Sequence, residues 1–216
     1  MMSMHHKKSL MSDRGARRGF SLIEVLIVIA IASSIVFIVS AMNNNVSALN
    51  RLISQELQSK SDITQTLQIV TSEIRSAGPS QNGAYAIDSA STSSFAFYTS
   101  LHKNGVMEHV RYFLASSTIY KGVIEPTGTP AAYPTASESV IDTIDNISVS
   151  TSSPLFQYYD ASYTGTQAPM PSPVVVPNIR MVYLSFIALI APTQAGQVTV
   201  PQPFSTLIDI RNLRSN

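Results

Sequence analysis

The chain has 216 residues, 14 Lys plus Arg against 13 Asp plus Glu, and no cysteine. Without cysteine there is no disulfide framework, no thiolate nucleophile and no cysteine metal site. The length suits an anchoring segment plus one domain of ordinary size. The formal net charge of +1 hides an asymmetry. Five bases (Lys7, Lys8, Arg14, Arg17, Arg18) and one acid (Asp13) precede residue 20, which leaves 9 bases and 12 acids, a net of −3, in the remainder. That remainder has no Lys/Arg cluster, so its electrostatics give no support for nucleic-acid binding.

Phe20 to Met42 is 23 residues without proline or glycine. As a helix it spans about 35 Å, enough to cross a bilayer. The bases before it hold the N-terminal side in the cytoplasm and place the rest of the chain beyond the inner leaflet. Glu24 lies inside this run. A carboxylate at mid-membrane costs about 2.5–3.5 kcal/mol and usually marks function. The plainer reading is that Glu24, one turn from the basic edge, snorkels to the interface.

Residues 18–30, RGFSLIEVLIVIA, resemble the type IV prepilin family: a basic leader, a glycine, then Phe-(Ser/Thr)-Leu-(Ile/Val)-Glu and an apolar run. The resemblance implies cleavage between Gly19 and Phe20 by prepilin peptidase and N-methylation of the new Phe20 amine. It implies that Glu24 pairs with the N-terminal amine of a neighbouring subunit during assembly, which suits a charge held in low dielectric. Two departures stand out. Major pilins soften this helix with glycine and proline, whereas here those neighbourhoods hold Ser33-Ser34 and Ala41-Met42, so nothing forces a kink. Two other N-terminal readings compete. A secretory signal peptide would use Val39-Ser40-Ala41 as its cleavage site, but its apolar core would exceed the usual length and contain Glu24. A simple signal anchor leaves Gly19-Phe20 and Glu24 without a role. Met1, Met2, Met4 and Met11 all precede the motif, and His5-His6 reads as incidental to the leader.

In chain order, residues 1–19 are the leader, 20–42 the membrane-spanning half of a long helix and 43–78 its amphipathic half. Val46, Leu49, Ile53, Leu57, Ile63, Leu67, Val70 and Ile74 recur at helical steps, and Gly78-Pro79 predicts the stop, with glycine as a left-handed cap. Residues 79–216 change to period two and predict a β-rich extracytoplasmic domain. Strands are expected at Ser94–Thr99, Val106–Leu114, Thr118–Ile124, a stretch from Val140 leading into Leu155–Asp160, Ile179–Ile190 and a short Leu207–Arg211. Glu125–Ser137 and the proline-rich Gly165–Pro177 read as loops. The fold class is α+β: a long N-terminal helix packed on an antiparallel sheet domain, the pilin fold in the family it resembles.

The same order resembles PilW-type minor pilins and the J-type pseudopilins of type II secretion. The segments that carry this are Glu73-Ile74-Arg75-Ser76-Ala77-Gly78, the Val110–Leu114 and Ile119–Lys121 hairpin, Asp145–Ile147 before Phe156–Asp160, and Ile179–Leu189 followed by Leu207–Asn212. What it implies is a minor pilin that primes assembly or sits at the tip, or else a secretion pseudopilin. The implied partners are prepilin peptidase, other pilin subunits, the inner-membrane assembly platform and lipid, with no cofactor.

No catalytic constellation is legible. His102 and His109 read as solvated surface residues. Asp142, Asp145 and Asp160 are the nearest thing to a calcium set but lack a glycine-turned loop. Lys103, Arg111 and Lys121 are the candidates for a DNA-binding or adhesive tip module. Of Tyr158 and Tyr159, strand alternation places one in the core. A plain membrane-anchored extracytoplasmic domain remains the third class.

Overall fold

The computed structural model describes residues 19–190 and 199–213. One helix, α1 (Leu22–Arg75), runs for 54 residues. No proline or glycine interrupts it, and three consecutive asparagines, Asn43 to Asn45, are carried within it. Its neighbours in sequence hold the backbone satisfied at both ends, as Ser21 O accepts from the amides of Glu24 and Val25, and Ser76 N donates to Ser72 O. The chain clusters into two compact units, residues 1–50 and 51–216.

In the first unit, α1 from Leu22 to Asn43 is long and apolar enough to cross a membrane, and none of its apolar window is buried. Ser33 and Ser34 return their hydroxyls to the carbonyls of Ile29 and Ile31 at 2.7 and 2.8 Å. Those bonds satisfy the hydroxyl protons of the two serines at the middle of this segment, as lipid would require.

In the second unit, α1 buries Leu67, Val70 and Ile74 at steps of three and four, the amphipathic stripe read from the sequence. They pack on two antiparallel sheets. The first is a meander of β1 (Ile87–Ala90), β2 (Ser94–Thr99), β3 (Glu108–Ala115), β4 (Thr118–Ile124) and β5 (Ser139–Ile144), ordered as in the chain. The second is built on β8 (Met181–Ile190), which pairs with β6 (Ile147–Ser148), β7 (Phe156–Tyr159) and β9 (Val200–Asp209). β9 covers one edge of β8 over its full length. β6 and β7 share the other edge: Leu189 N and Ser185 N, both odd-numbered, donate to Asn146 O and to Leu155 O. Phe95 of β2 meets Phe156 and Tyr158 of β7 at ring distances of 6.0 and 5.6 Å, so one aromatic cluster closes the core between the sheets. The chain therefore has an α+β, pilin-like fold: a long apolar helix followed by antiparallel sheets.

Ser94–Thr99 and Thr118–Ile124 form strands with the expected bounds. The hairpin of β3 and β4 closes on Ser116-Ser117, with Ser116 in the left-handed region (φ 56°). Other expectations differ in part. β1 was not expected, because only four residues of weak alternation signal it. As expected, one of Tyr158 and Tyr159 enters the core: Tyr158 joins the core cluster, while Tyr159 lies 4.0 Å from the Tyr163 ring. Gly78 is not a left-handed cap, since it is absent from the positive-φ glycines. Its constraint is space instead: a Cβ there would meet Asn212 Nδ2 at 3.3 Å and Met107 Cε at 3.4 Å. Last, the terminal strand starts at Val200 rather than Leu207. Pro201 and Pro203 concealed it, because proline in a strand normally removes a ladder bond. Ile210 N donates to Arg180 O and the register is unbroken, so even-numbered amides of β9 point at β8. The prolines are odd-numbered, and the donors they lack would have pointed outward.

Helix and meander are joined by a polar clamp at the core's margin. Tyr112 Oη donates to Glu73 Oε2 at 2.7 Å, and Lys121 Nζ donates to Glu73 Oε1 at 2.6 Å. Only 14% of the Glu73 side chain and 13% of Lys121 are exposed. Removing one member of such a pair strands the other charge, which costs more than the pair contributes. Glu73→Ala is therefore expected to destabilise the domain by about 2–3 kcal/mol, below the fully buried range because some solvent reaches the pair. Denaturant unfolding of the detergent-solubilised chain checks this, and Glu73→Gln, which still accepts from Tyr112, should lose less.

Burial raises the Tyr112 phenol well above its ordinary 10.0, and the Glu73 carboxylate adds to the shift. Burial likewise raises Tyr158. A raised folded-state value means the neutral phenol is favoured in the fold. The stability it contributes is complete below about pH 10 and is lost as pH rises beyond, because the unfolded chain ionises first. Melting temperature should fall between about pH 10 and 11, and Tyr112→Phe or Tyr158→Phe should flatten that fall relative to the parent chain.

Candidate functional site

The candidate site begins where the helix does. Gly19 and Phe20 precede α1 in non-helical chain, and nothing lies within 4 Å of a Cβ built on Gly19. Phe20 is 79% exposed. A peptide bond between them is thus free of helical hydrogen bonding and open to an approaching enzyme. Glu24 lies in the first turn of α1, where free backbone amides favour a carboxylate. It is exposed, and among the described residues its carboxylate has no hydrogen-bond or ion-pair partner. The bases Lys7 to Arg18 and the leader methionines and histidines lie outside the described residues.

The residues weighed for other chemistry are accounted for within the fold. Arg111 donates from Nε and Nη2 to the two carboxylate oxygens of Glu138 at 2.9 and 2.7 Å, and its guanidinium lies 4.0 Å over the Phe113 ring. This fork-to-fork pair is the strong form of an Arg–carboxylate bond. Gly122, opposite Arg111 in the ladder, makes room for it: a Cβ there would run into the Glu138 carboxylate. Lys121 is held by Glu73. Two of the three cations weighed as a DNA-binding set are thus neutralised internally, and the third, Lys103, occupies a left-handed turn position (φ 53°).

His109 is not a solvated surface histidine. Its Nε2 is 3.2 Å from Asp88 Oδ2 with 12% of the side chain exposed, and its ring lies edge-on to Tyr98 at 5.2 Å and 6.3 Å from Tyr133. Burial and the Asp88 charge raise the Tyr98 phenol. His102 is 65% exposed and contacts Glu108, whose carboxylate also caps the Leu101 amide at 2.9 Å. Asp145 accepts from Thr118 Oγ1, and Asp160 accepts from the Ser162 amide and hydroxyl. Among the described residues no group of three His, Asp or Glu side chains is placed to hold a metal ion. Glu138, Tyr133 and Asp88, which organise this face, carried no signal in the sequence beyond their strand or loop positions.

The N-terminal segment is where similarity to known proteins lies. No curated protein matches the chain. The prokaryotic N-terminal methylation motif matches residues 14–40, covering Gly19, Phe20, Glu24 and most of the apolar run. Proteins bearing this motif are structural, not enzymes, and the motif implies processing by prepilin peptidase. With its class III signal peptide ahead of an apolar helix and a β-rich domain, this chain is type IV prepilin-like, the arrangement of a membrane-anchored extracytoplasmic subunit.

Proposed function

We propose that this chain is a minor type IV pilin, incorporated into a pilus-like filament at or near its tip, where it primes assembly. A type II secretion pseudopilin is the second reading, and both use the same N-terminal chemistry. The observation that carries the proposal is a carboxylate, Glu24, without a partner among the described residues, in the first turn of a helix whose apolar stretch from Leu22 to Asn43 is unburied and preceded by Gly19-Phe20. In this reading Gly19 and Phe20 flank the scissile bond, Phe20 carries the methylated amine, and Glu24 accepts the amine of a neighbouring subunit. Other pilin subunits and the inner-membrane platform then replace lipid around the helix.

The minor-pilin assignment is supported by the segments that resemble PilW-type subunits. Glu73 of the first segment, Tyr112 of the second and Lys121 of its partner strand form one clamp, so those residues act together rather than as separate coincidences of strand pattern. The internally paired Arg111 and Lys121 disfavour a DNA-binding tip.

Mass spectrometry of membrane fractions tests this. The mature chain should begin at N-methylated Phe20 when prepilin peptidase is present and retain the leader when it is absent. Glu24→Ala should leave processing and membrane insertion intact but remove the subunit from sheared filaments. A mature chain starting elsewhere, or one that reaches filaments without Glu24, overturns the proposal.

A further inference from the structure

A groove of about 500 Å³ runs between α1 and β9, lined on the helix by Leu67, Gln68 and Arg75 and on the strand by Ser205 and Thr206. It continues into a smaller pocket between Ser72, Arg75 and Arg211. Both arginines are exposed, and among the described residues neither guanidinium has a hydrogen-bond or ion-pair partner. This differs from Arg111 and Lys121, which the fold neutralises. The groove opens on the outer edge of β9, which pairs with no strand among the described residues. Pro201 and Pro203 remove two outward donors from that edge. Ser205 and Leu207 keep theirs, because the odd-numbered amides point away from β8.

The meander has a matching edge. β5 is its last strand, and Ser139, Val140, Ile141 and Asp142 are all exposed, Val140 by 46% and Ile141 by 56%. Asp142 has no partner among the described residues. An extended strand with exposed aliphatic residues on a free edge is a template for pairing. The two open edges differ in charge: the β9 edge ends between two unpaired arginines, and the β5 edge carries an unpaired carboxylate.

We propose that the α1–β9 groove receives β5 from a second copy of this chain, strand edge to strand edge, with Asp142 entering the arginine-walled end. Backbone bonds would supply affinity, and the Arg75–Arg211 pair would fix direction and register. Because the two surfaces are different, the contact is head-to-tail and leaves a free β9 edge on one copy and a free β5 edge on the other. The contact belongs to the β-rich domain and does not depend on leader cleavage or on Glu24.

The absence of cysteine makes the test clean. The full chain in detergent is prepared as Ile141→Cys and as Ser205→Cys, and the two are treated with a bismaleimide separately and mixed. A cross-linked dimer is expected in the mixture and not in either variant alone. Arg211→Glu on the Ser205→Cys copy should abolish it, and Asp142→Arg on the Ile141→Cys copy should then restore it. Thr206→Cys probes the same groove if Ser205→Cys fails to fold. No mixed dimer between folded variants, equal dimer in the single variants, or a dimer indifferent to charge reversal overturns the proposal. Because Phe20 and Glu24 are untouched, this result is read separately from the maturation experiment.

Discussion

No residue of α1 from Leu22 to Asn43 is buried among the described residues. Every aliphatic side chain from Leu22 to Met42 is exposed, with Phe20 and Phe37 above 70%. At about 25 cal/mol per Å², leaving such a stripe in water is untenable. Nothing among the described residues covers it, and the composition narrows what does. Twenty-two residues without a charge other than Glu24 suit hydrocarbon, and Ser33 and Ser34 are back-bonded to the helix. The first 22 residues of α1 are thus written for a partner or a bilayer, and the fold of the β-rich domain is obliged to be stable without them.

That domain meets the obligation with ordinary means. The helix contributes a narrow stripe, Leu67, Val70 and Ile74, and the two sheets contribute an aromatic centre. The Glu73 clamp sits where the stripe ends, beside Ile74, and binds two strands of the meander at once through Tyr112 and Lys121. Apolar contact fixes depth but tolerates sliding along the helix; a carboxylate gripped by a phenol and an ammonium on neighbouring strands does not. The clamp therefore fixes the helix's register on the sheet, a task the stripe alone performs poorly.

The legible parts of the sequence were those with one dominant cause. An uninterrupted apolar run with helical periodicity after it gave α1, and alternation bounded by turn residues gave β2 and β4. The N-terminal motif was legible because its parts are individually expensive: glycine, phenylalanine and an intramembrane acid have no reason to coincide in a plain anchor. What escaped had two causes in competition. Pro201 and Pro203 argued against a strand, and only the parity of β9 against β8 shows that the missing donors would have pointed outward. Gly78 looked like a cap because glycine after a helix usually is one, yet its role is close approach to Asn212 and Met107. His109 looked solvated because nothing in its strand foretold Asp88 or Tyr133, which arrive from β1 and from a loop.

The distribution of paired and unpaired charge separates fold from function. Arg111, Lys121, Glu73 and Glu138 are satisfied within the domain, and each can be explained by the stability of a half-buried ion pair. Glu24, Asp142, Arg75 and Arg211 have no partner among the described residues. At the surface an unpaired charge costs little, because water solvates it. Glu24 is different, since its surroundings are aliphatic and lipid offers no counter-charge. In the proposed reading a neighbour's amine supplies that charge, and moving the helix from lipid into a bundle of like helices exchanges one apolar surround for another at little cost. The ion pair then favours the bundle over the bilayer, while the length of the apolar run sets only that the helix can reside in either.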